Sequence, residues 1–169
     1  MAGNASRVVH IDRSRKFLNL AKDSYTLNGF PIDKKDFLVG DFFLHTSRLK
    51  RAGRLFDCVF VDPPFFSATS KGNVNLISES QRVINKVRPL VQDGGSLIAV
   101  NNALFVSGKT YLQTLEELCA DGFLSIERLI PVPPDITGYP HTIVREPPVD
   151  PQPFNHPTKI AVLSVRRKN

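Results

Sequence analysis

The sequence predicts an α/β domain, in which helices cover both faces of a mostly parallel β-sheet. Apolar runs of strand length alternate along the chain with longer segments whose apolar residues recur at helical spacing. Glycine, proline and asparagine fall between many of these segments, where the chain must turn. This alternation indicates βαβ units, whose strands lie parallel in one sheet.

The first part of the chain contains three predicted strands and two predicted helices. We expect strands at residues 7–11, 36–39 and 56–61, and helices at residues 14–27 and 42–52. Ser14 is placed to cap the first helix, and Gly29 lies just beyond its end. The apolar side of this helix is expected to consist of Phe17, Leu20, Ala21 and Tyr25.

The remainder contains further helices and strands and one irregular connection. We expect helices at 75–91 and 109–120, and strands at 97–100, 124–130 and 158–165. Residues 131–157 hold nine of the thirteen prolines, which excludes a helix there. This connection is a hairpin-like insertion between two strands, so the last strand is expected to run antiparallel. Its polar residues could line a substrate mouth or belong to a mobile surface loop.

The composition fits one soluble, cytoplasmic domain spanning residues 1–169. The chain is 41% hydrophobic, yet it has no membrane-length apolar run and no secretory signal, so we expect no membrane partner. The net charge of +6 favours polyanions such as RNA, although a charge run is also typical of a solvated face. Cys58 and Cys119 are too few for a metal site, and we expect both to be reduced core thiols.

The most informative segment is an apolar run, 56–61, that ends at Asp62, Pro63 and Pro64. The run predicts a fully buried strand, and the prolines leave a rigid elbow after it because they fix φ and restrict the preceding residue. Ligands of open α/β sheets bind at the carboxyl ends of the strands. The elbow can hold a carboxylate, two carbonyl groups and an aromatic face against a planar substrate. The alternative is that the prolines simply end the strand.

Four segments in this order resemble the class I S-adenosylmethionine-dependent methyltransferases, in particular the K/L and I types that act on large-subunit ribosomal RNA. The Asp-Pro-Pro motif of that family is similar to Asp62-Pro63-Pro64-Phe65-Phe66-Ser67. Its second strand and following acid resemble residues 8–14, its third motif resembles 38–43, and its fifth strand with the Asn-Asn of the K type resembles 94–102. The resemblance implies a Rossmann-like fold and S-adenosylmethionine as cofactor.

The resemblance also implies the residues that bind the cofactor. Asp12 stands where the family's acid accepts the ribose hydroxyls, and Asp41 stands where the adenine amino group is bound. Phe42 would border the adenine ring. The implied cofactor-binding residues are Asp12, Arg13, Gly40, Asp41, Phe42 and Asp62. The alternatives are a helix N-terminal acid for Asp12 and a turn with a core aromatic for Asp41 and Phe42.

For methyl transfer, the resemblance implies that the Asp-Pro-Pro loop holds an RNA base. The implied catalytic residues are Asp62, Pro63, Pro64, Phe65, Phe66 and Asn101. Transfer to a pyrimidine C5 needs a cysteine nucleophile, which the I type carries after the fifth strand, where this chain has Asn101-Asn102. Guanine N7 or an exocyclic amine is therefore the expected acceptor.

One segment of the family pattern is absent from the sequence. The Gly-rich loop and the first strand would precede residue 1, so the chain resembles the carboxyl-terminal part of a longer protein or a shortened gene product. Without that central strand, two strands are expected to lack their usual partner, which makes an oligomer possible. Two other functions stay open, namely a methyltransferase with a non-RNA substrate and a non-catalytic Rossmann-like module without cofactor binding.

Overall fold

The structure is a computed structural model that describes residues 4–63, 66–69 and 72–167. The chain forms two compact units, the first built mainly from residues up to Ala52 and the second mainly from Gly53 onward. Within the described residues, no helix is both long enough and apolar enough to cross a membrane.

The first unit is a βαβα arrangement, as the sequence predicts. Strand β1 (His10–Asp12) pairs in parallel with β2 (Phe37–Val39). Helix α1 (Arg15–Leu27) joins the strands and α2 (Phe42–Arg51) follows them. The Ser14 Oγ caps α1 by accepting from the Phe17 amide. Strand β1 begins three residues later than predicted.

An aromatic cluster forms the centre of the first unit. Phe37 is buried, its ring stacks on His10 at a centroid distance of 4.9 Å, and Tyr25 packs edge-on against both. The predicted apolar side of α1 is partly wrong, because Phe17 and Leu20 are 61% and 60% exposed. Two strands of three residues each cover only a narrow stripe of the helix, and Leu18 occupies its centre at 3% exposure.

The second unit contains the larger sheet. Its strands are β3 (Phe56–Val61), β6 (Val91–Asn101), β7 (Leu124–Ile130) and β8 (Lys159–Val165). Its helices are α3 (Leu76–Val87), α4 (Gly108–Cys119) and the short α5 (Pro134–Thr137). Strands β4 (Phe66–Thr69) and β5 (Gly72–Asn75) form a separate two-stranded sheet that the sequence did not predict. Strand β6 also begins six residues before the predicted strand.

The strand order in the larger sheet is β3-β6-β8-β7. Strand β6 is parallel to β3, and β8 is antiparallel to both β6 and β7. Strands β3, β6 and β7 therefore point the same way, and only β8 is reversed. This confirms the α/β class, the mostly parallel sheet and the antiparallel last strand.

The prediction that β3 is a fully buried strand is wrong. Val61 at its carboxyl end is 7% exposed, but Phe60 is 63% exposed and Cys58 is also exposed. The reason is that β3 pairs with β6 along one edge, and its other edge has no partner strand within residues 4–63, 66–69 and 72–167. Cys58 is therefore not a core thiol, although both cysteines are free, as expected.

The proline-rich connection is irregular, as predicted, apart from the single turn of α5. Asn155 fastens its two ends together, since its side-chain amide accepts from the Val132 N–H (2.9 Å) and donates to the Val132 carbonyl (2.8 Å). The Gly108 N–H donates to the Asp150 carbonyl (3.0 Å), which ties the connection to the start of α4. Residues 139–148 between these anchors are exposed.

Candidate functional site

Asp12 lies at the carboxyl end of β1, immediately before α1. One carboxylate oxygen, Oδ1, accepts from the Ser14 N–H at 2.6 Å, which fixes the side chain at the start of the helix. The other oxygen, Oδ2, has no hydrogen-bond partner in the part of the chain that the structure describes. The carboxyl group lies at the N-terminal end of α1, where the helix dipole is positive. Asp12 is half-buried and retains an acceptor for a hydroxyl group, whereas Arg13 beside it is exposed.

The turn that follows β2 requires glycine. Gly40 has a φ of +144°, a conformation that other residues rarely adopt, and its N–H donates to the Asp12 carbonyl (2.9 Å). A Cβ at Gly40 would lie 2.8 Å from Nε2 of His45. His45 is buried, and its Nε2 donates to the Val39 carbonyl (3.0 Å). The ring of His45 therefore supports the turn, and it brings the backbone of Gly40 next to Asp12.

Asp41 is the N-cap of α2, since its Oδ1 accepts from the Leu44 N–H at 2.9 Å. This acid therefore caps a helix, whereas the alternative expected for it was a turn. Phe42 follows at the first position of the helix, half-buried and edge-on to the buried Phe43. The first unit accordingly brings together four of the predicted residues, Asp12, Gly40, Asp41 and Phe42, at the carboxyl ends of β1 and β2.

Asp62 and Pro63 follow the carboxyl end of β3 in the second unit. The Asp62 side chain is exposed and has no hydrogen bond or ion pair to any described residue. Partial desolvation raises the pKa of its carboxyl group above the ordinary value. Pro64 and Phe65 lie outside the described residues, and so does the side chain of Phe66, whose backbone begins β4.

The Asn101-Asn102 pair ends β6, beside the Asp62-Pro63 elbow. Asn101 is buried, and its Oδ1 accepts from the Ala103 N–H (2.9 Å), which makes a tight turn. Asn102 donates from Nδ2 to the Pro63 carbonyl at 3.3 Å. Its Oδ1 is buried without a hydrogen-bond partner among the described residues. Asn102 therefore links this turn directly to the elbow, and Asn101 stabilises the turn itself.

Lys159 anchors the same turn from the first position of β8. Its side chain is fully buried, and Nζ donates to the carbonyls of Ala103 (3.0 Å) and Pro157. Burial lowers the pKa of Lys159 to about 8. Lys159 lies opposite Asn101 in the strand register, so β8 determines where the turn after β6 is placed.

Two negative findings limit the chemistry available to the described residues. Partial desolvation raises the pKa values of the Cys58 and Cys119 thiols, so neither is activated as a thiolate. Within the described residues, no cluster of three metal-ligating side chains occurs. The cavity between Pro63, Val61 and the buried Tyr111 has a volume of about 10 Å³, which is room for about one water molecule.

Three supporting residues were missed in the sequence. His45, Asn102 and Lys159 contact the predicted site residues but lie outside the motifs or were not singled out within them. Asn102 could have been found, because it adjoins Asn101 in the K-type pair. His45 and Lys159 act through contacts that depend on the folded sheet.

Comparisons with known proteins agree with this architecture. The sequence profile of the S-adenosylmethionine-dependent methyltransferase family matches residues 1–140. Ribosomal RNA large subunit methyltransferase I of Vibrio vulnificus is 32% identical over 133 residues, which are 77% of this chain and 32% of that protein. Ribosomal RNA large subunit methyltransferase K/L of Shewanella pealeana is 31% identical over 102 residues, 59% of this chain and 14% of that protein.

A solved structure shares the fold. The crystal structure of SMU.776, described as a methyltransferase complexed with S-adenosylhomocysteine, has a TM-score of 0.79 at 17% identity and covers 96% of this chain and 40% of that one. The chain spans about a third or less of the two curated relatives. With a matching profile over most of its length, the chain belongs to the S-adenosylmethionine-dependent methyltransferase family.

Proposed function

We propose that the chain transfers a methyl group from S-adenosylmethionine to a base of RNA, with large-subunit ribosomal RNA as the substrate and a base nitrogen as the acceptor. The observation that carries the proposal is the elbow after β3, where Asp62 has no partner among the described residues and Asn102 binds the neighbouring Pro63 carbonyl. The curated relatives act on ribosomal RNA according to their names, which supports the choice of substrate.

On the cofactor side, we assign Asp12 to the ribose hydroxyls of S-adenosylmethionine. Its Oδ2 is available while Oδ1 is held by the Ser14 amide, so the acceptor is oriented before the cofactor binds. Gly40, Asp41 and Phe42 would border the adenine, and Arg13 and Asp62 complete the proposed set. The cofactor supplies the electrophilic methyl group, and these residues hold it in place.

On the acceptor side, the Asp62 carboxylate and the proline carbonyls would accept N–H groups of the target base. Asn101 would keep the turn after β6 in position, and Pro64, Phe65 and Phe66 would complete the base-binding loop. Transfer to nitrogen needs no covalent enzyme intermediate, whereas transfer to a pyrimidine C5 needs a thiolate. The raised pKa values of both cysteines favour the nitrogen acceptor.

The cofactor assignment is tested by calorimetric titration with S-adenosylhomocysteine. Asp12→Ala should weaken binding by about 1.5 to 3 kcal/mol, because a charge-assisted hydrogen-bond pair is lost. Asp23→Ala on the exposed part of α1 is the matched control and should bind as the wild type does. Equal affinities for Asp12→Ala and the control would contradict the assignment.

The acceptor assignment is tested by transfer of a radiolabelled methyl group from S-adenosylmethionine to unmodified large-subunit ribosomal RNA. Asp62→Ala should abolish transfer and leave cofactor affinity within a few fold, since Asp62 acts mainly on the base. Cys58→Ser and Cys119→Ser should remain active. Loss of transfer in a folded Cys variant would contradict the nitrogen acceptor, and transfer to a small molecule or protein instead of RNA would contradict the substrate.

A further inference from the structure

Three arginines surround an open cleft of about 350 Å³ in the second unit. Arg88 lies just before β6, Phe123 lies just before β7, and Arg166 and Arg167 follow β8. Because β8 is antiparallel to β6 and β7, these three segments meet at the same end of the sheet. Asp62 and Asn101 lie at the opposite end, so the cleft is separate from the proposed methyl-transfer site.

Two of the guanidinium groups are held in fixed positions. Arg88 forms an ion pair with Asp121 (2.8 Å) and lies over the Phe123 ring at 5.8 Å. Arg167 donates from Nη1 to the carbonyls of Pro89 (2.9 Å) and Val91 (3.0 Å). A guanidinium that is already oriented loses little conformational entropy when it binds a ligand.

The third guanidinium is available. Arg166 is exposed, and its side chain has no hydrogen bond or ion pair to residues 4–63, 66–69 or 72–167. Its backbone N–H donates to the Phe123 carbonyl (2.9 Å). Two carboxylates lie near the cleft, and both already accept hydrogen bonds, Asp121 from Arg88 and Asp93 from the Arg167 N–H (2.8 Å). The three arginines outnumber the two carboxylates, so the net charge at the cleft is positive and favours an anion.

We propose that this cleft binds a backbone phosphate of the RNA, at a distance from the base that is methylated. The identity of the anion rests on the proposed function, and the site itself rests on the cleft and its arginines. Arginine suits phosphate because its planar N–H groups match two phosphate oxygens. Strand β6 runs from this end of the sheet to the Asn101 turn, and because it bulges between Val91 and Ser96 it spans about 23 Å. A folded RNA segment can span that length, whereas a single nucleotide cannot.

The test measures binding of a fluorescein-labelled RNA hairpin by anisotropy at several salt concentrations. Arg166→Ala should weaken binding about fivefold and reduce the salt dependence by about one phosphate contact, without changing affinity for S-adenosylhomocysteine. Arg128→Ala is the matched control, because Arg128 is an exposed arginine of β7 that does not line the cleft. Its RNA affinity should stay within twofold of the wild type.

The possible outcomes separate this proposal from the proposed function. Equal losses for Arg166→Ala and Arg128→Ala would overturn the cleft and indicate a general charge effect. The proposal would also be overturned if polyglutamate displaced the labelled RNA from the wild-type protein as effectively as unlabelled RNA does. That result would favour an acidic protein partner. A loss specific to Arg166→Ala supports the cleft even if no methyl transfer to RNA is detected, which would contradict only the proposed function.

Discussion

The polar groups of the two units are held in place by different kinds of contact. In the first unit, Asp12 and Asp41 bind backbone amides two and three residues further along the chain. In the second unit, Asn102 reaches Pro63 across 39 residues, and Lys159 reaches Ala103 across 56. The acids of the first unit are therefore positioned by the local start of a helix, whereas the turn beside Asp62 is positioned only when β3, β6 and β8 are assembled.

This difference determines how each region should respond to substitution. A substitution at a local contact affects only the start of one helix. Its effect on stability should therefore be moderate, and another capping residue should restore it. Long-range contacts report on the strand register, so they should respond to changes far away in the sequence. The following predictions test this contrast, beginning with the largest expected effect.

The buried Lys159 should make the stability of the second unit depend on pH. Its pKa in the folded chain is about 8, against an ordinary value of 10.5, so between these values the unfolded chain binds more protons than the folded chain. Stability from this group should therefore rise as the pH increases from 7 to 11, by about 3 kcal/mol.

The measurement is the free energy of unfolding of the wild type and of Lys159→Met across this pH range. The tyrosine hydroxyl groups and the cysteine thiols with raised pKa values make stability fall as the pH rises. They are present in both proteins, so their effect cancels in the difference. The difference between the two curves isolates Lys159. Parallel curves would show that Lys159 does not titrate in this range, which would contradict the prediction.

Replacement of Gly40 by alanine should lower the free energy of unfolding by about 2 kcal/mol. The reason is twofold, since the φ of +144° is unfavourable for alanine and the new Cβ would approach His45. Gly29→Ala is the matched control, because Gly29 also has a positive φ, +69°, but open space around it. Chemical denaturation of both variants gives the comparison. An equal loss in both would mean that the His45 contact is unimportant.

Asp41→Ala should cost about 1 kcal/mol of stability, because α2 loses its N-cap. Asp41→Ser should restore most of that loss, since serine caps a helix equally well. If Asp41 also accepts the adenine amino group, both variants should bind S-adenosylhomocysteine more weakly than the wild type. Restored binding in the serine variant would show that capping alone explains this residue.

Asn102→Ala should change stability least, by about 0.5 kcal/mol. The hydrogen bond to Pro63 is long at 3.3 Å, and the unpartnered Oδ1 is removed together with it. Asn155→Ala is the control for a long-range amide that makes two hydrogen bonds, and it should cost more. Thermal denaturation ranks the two. A larger loss for Asn102→Ala would show that the Asn102 contact, not the strand register, holds the elbow.

Much of this fold could be predicted because its signals are local. The helical spacing of α3 and the apolar runs of β7 and β8 predicted these elements, and Ser14 was recognised as the cap of α1. The cap at Asp41 was not predicted. The exposure of Phe60 could not be predicted, because a strand looks buried in sequence whether one edge or both are paired. Lys159 could not be recognised either, since a lysine at the start of a strand normally extends into solvent, and only the Ala103 and Pro157 carbonyls make its burial possible.

The division into two compact units has a consequence for spectroscopy. The chain contains no tryptophan and three tyrosines, so its intrinsic emission comes from tyrosine alone. Tyr25 lies in the aromatic cluster of the first unit, Tyr111 is buried in the second, and Tyr139 is half-exposed in the proline-rich connection. Variants that keep only Tyr25 or only Tyr111 would therefore follow the melting of one unit each. Coincident transitions would show that both units unfold cooperatively, and separate transitions would give each unit its own stability.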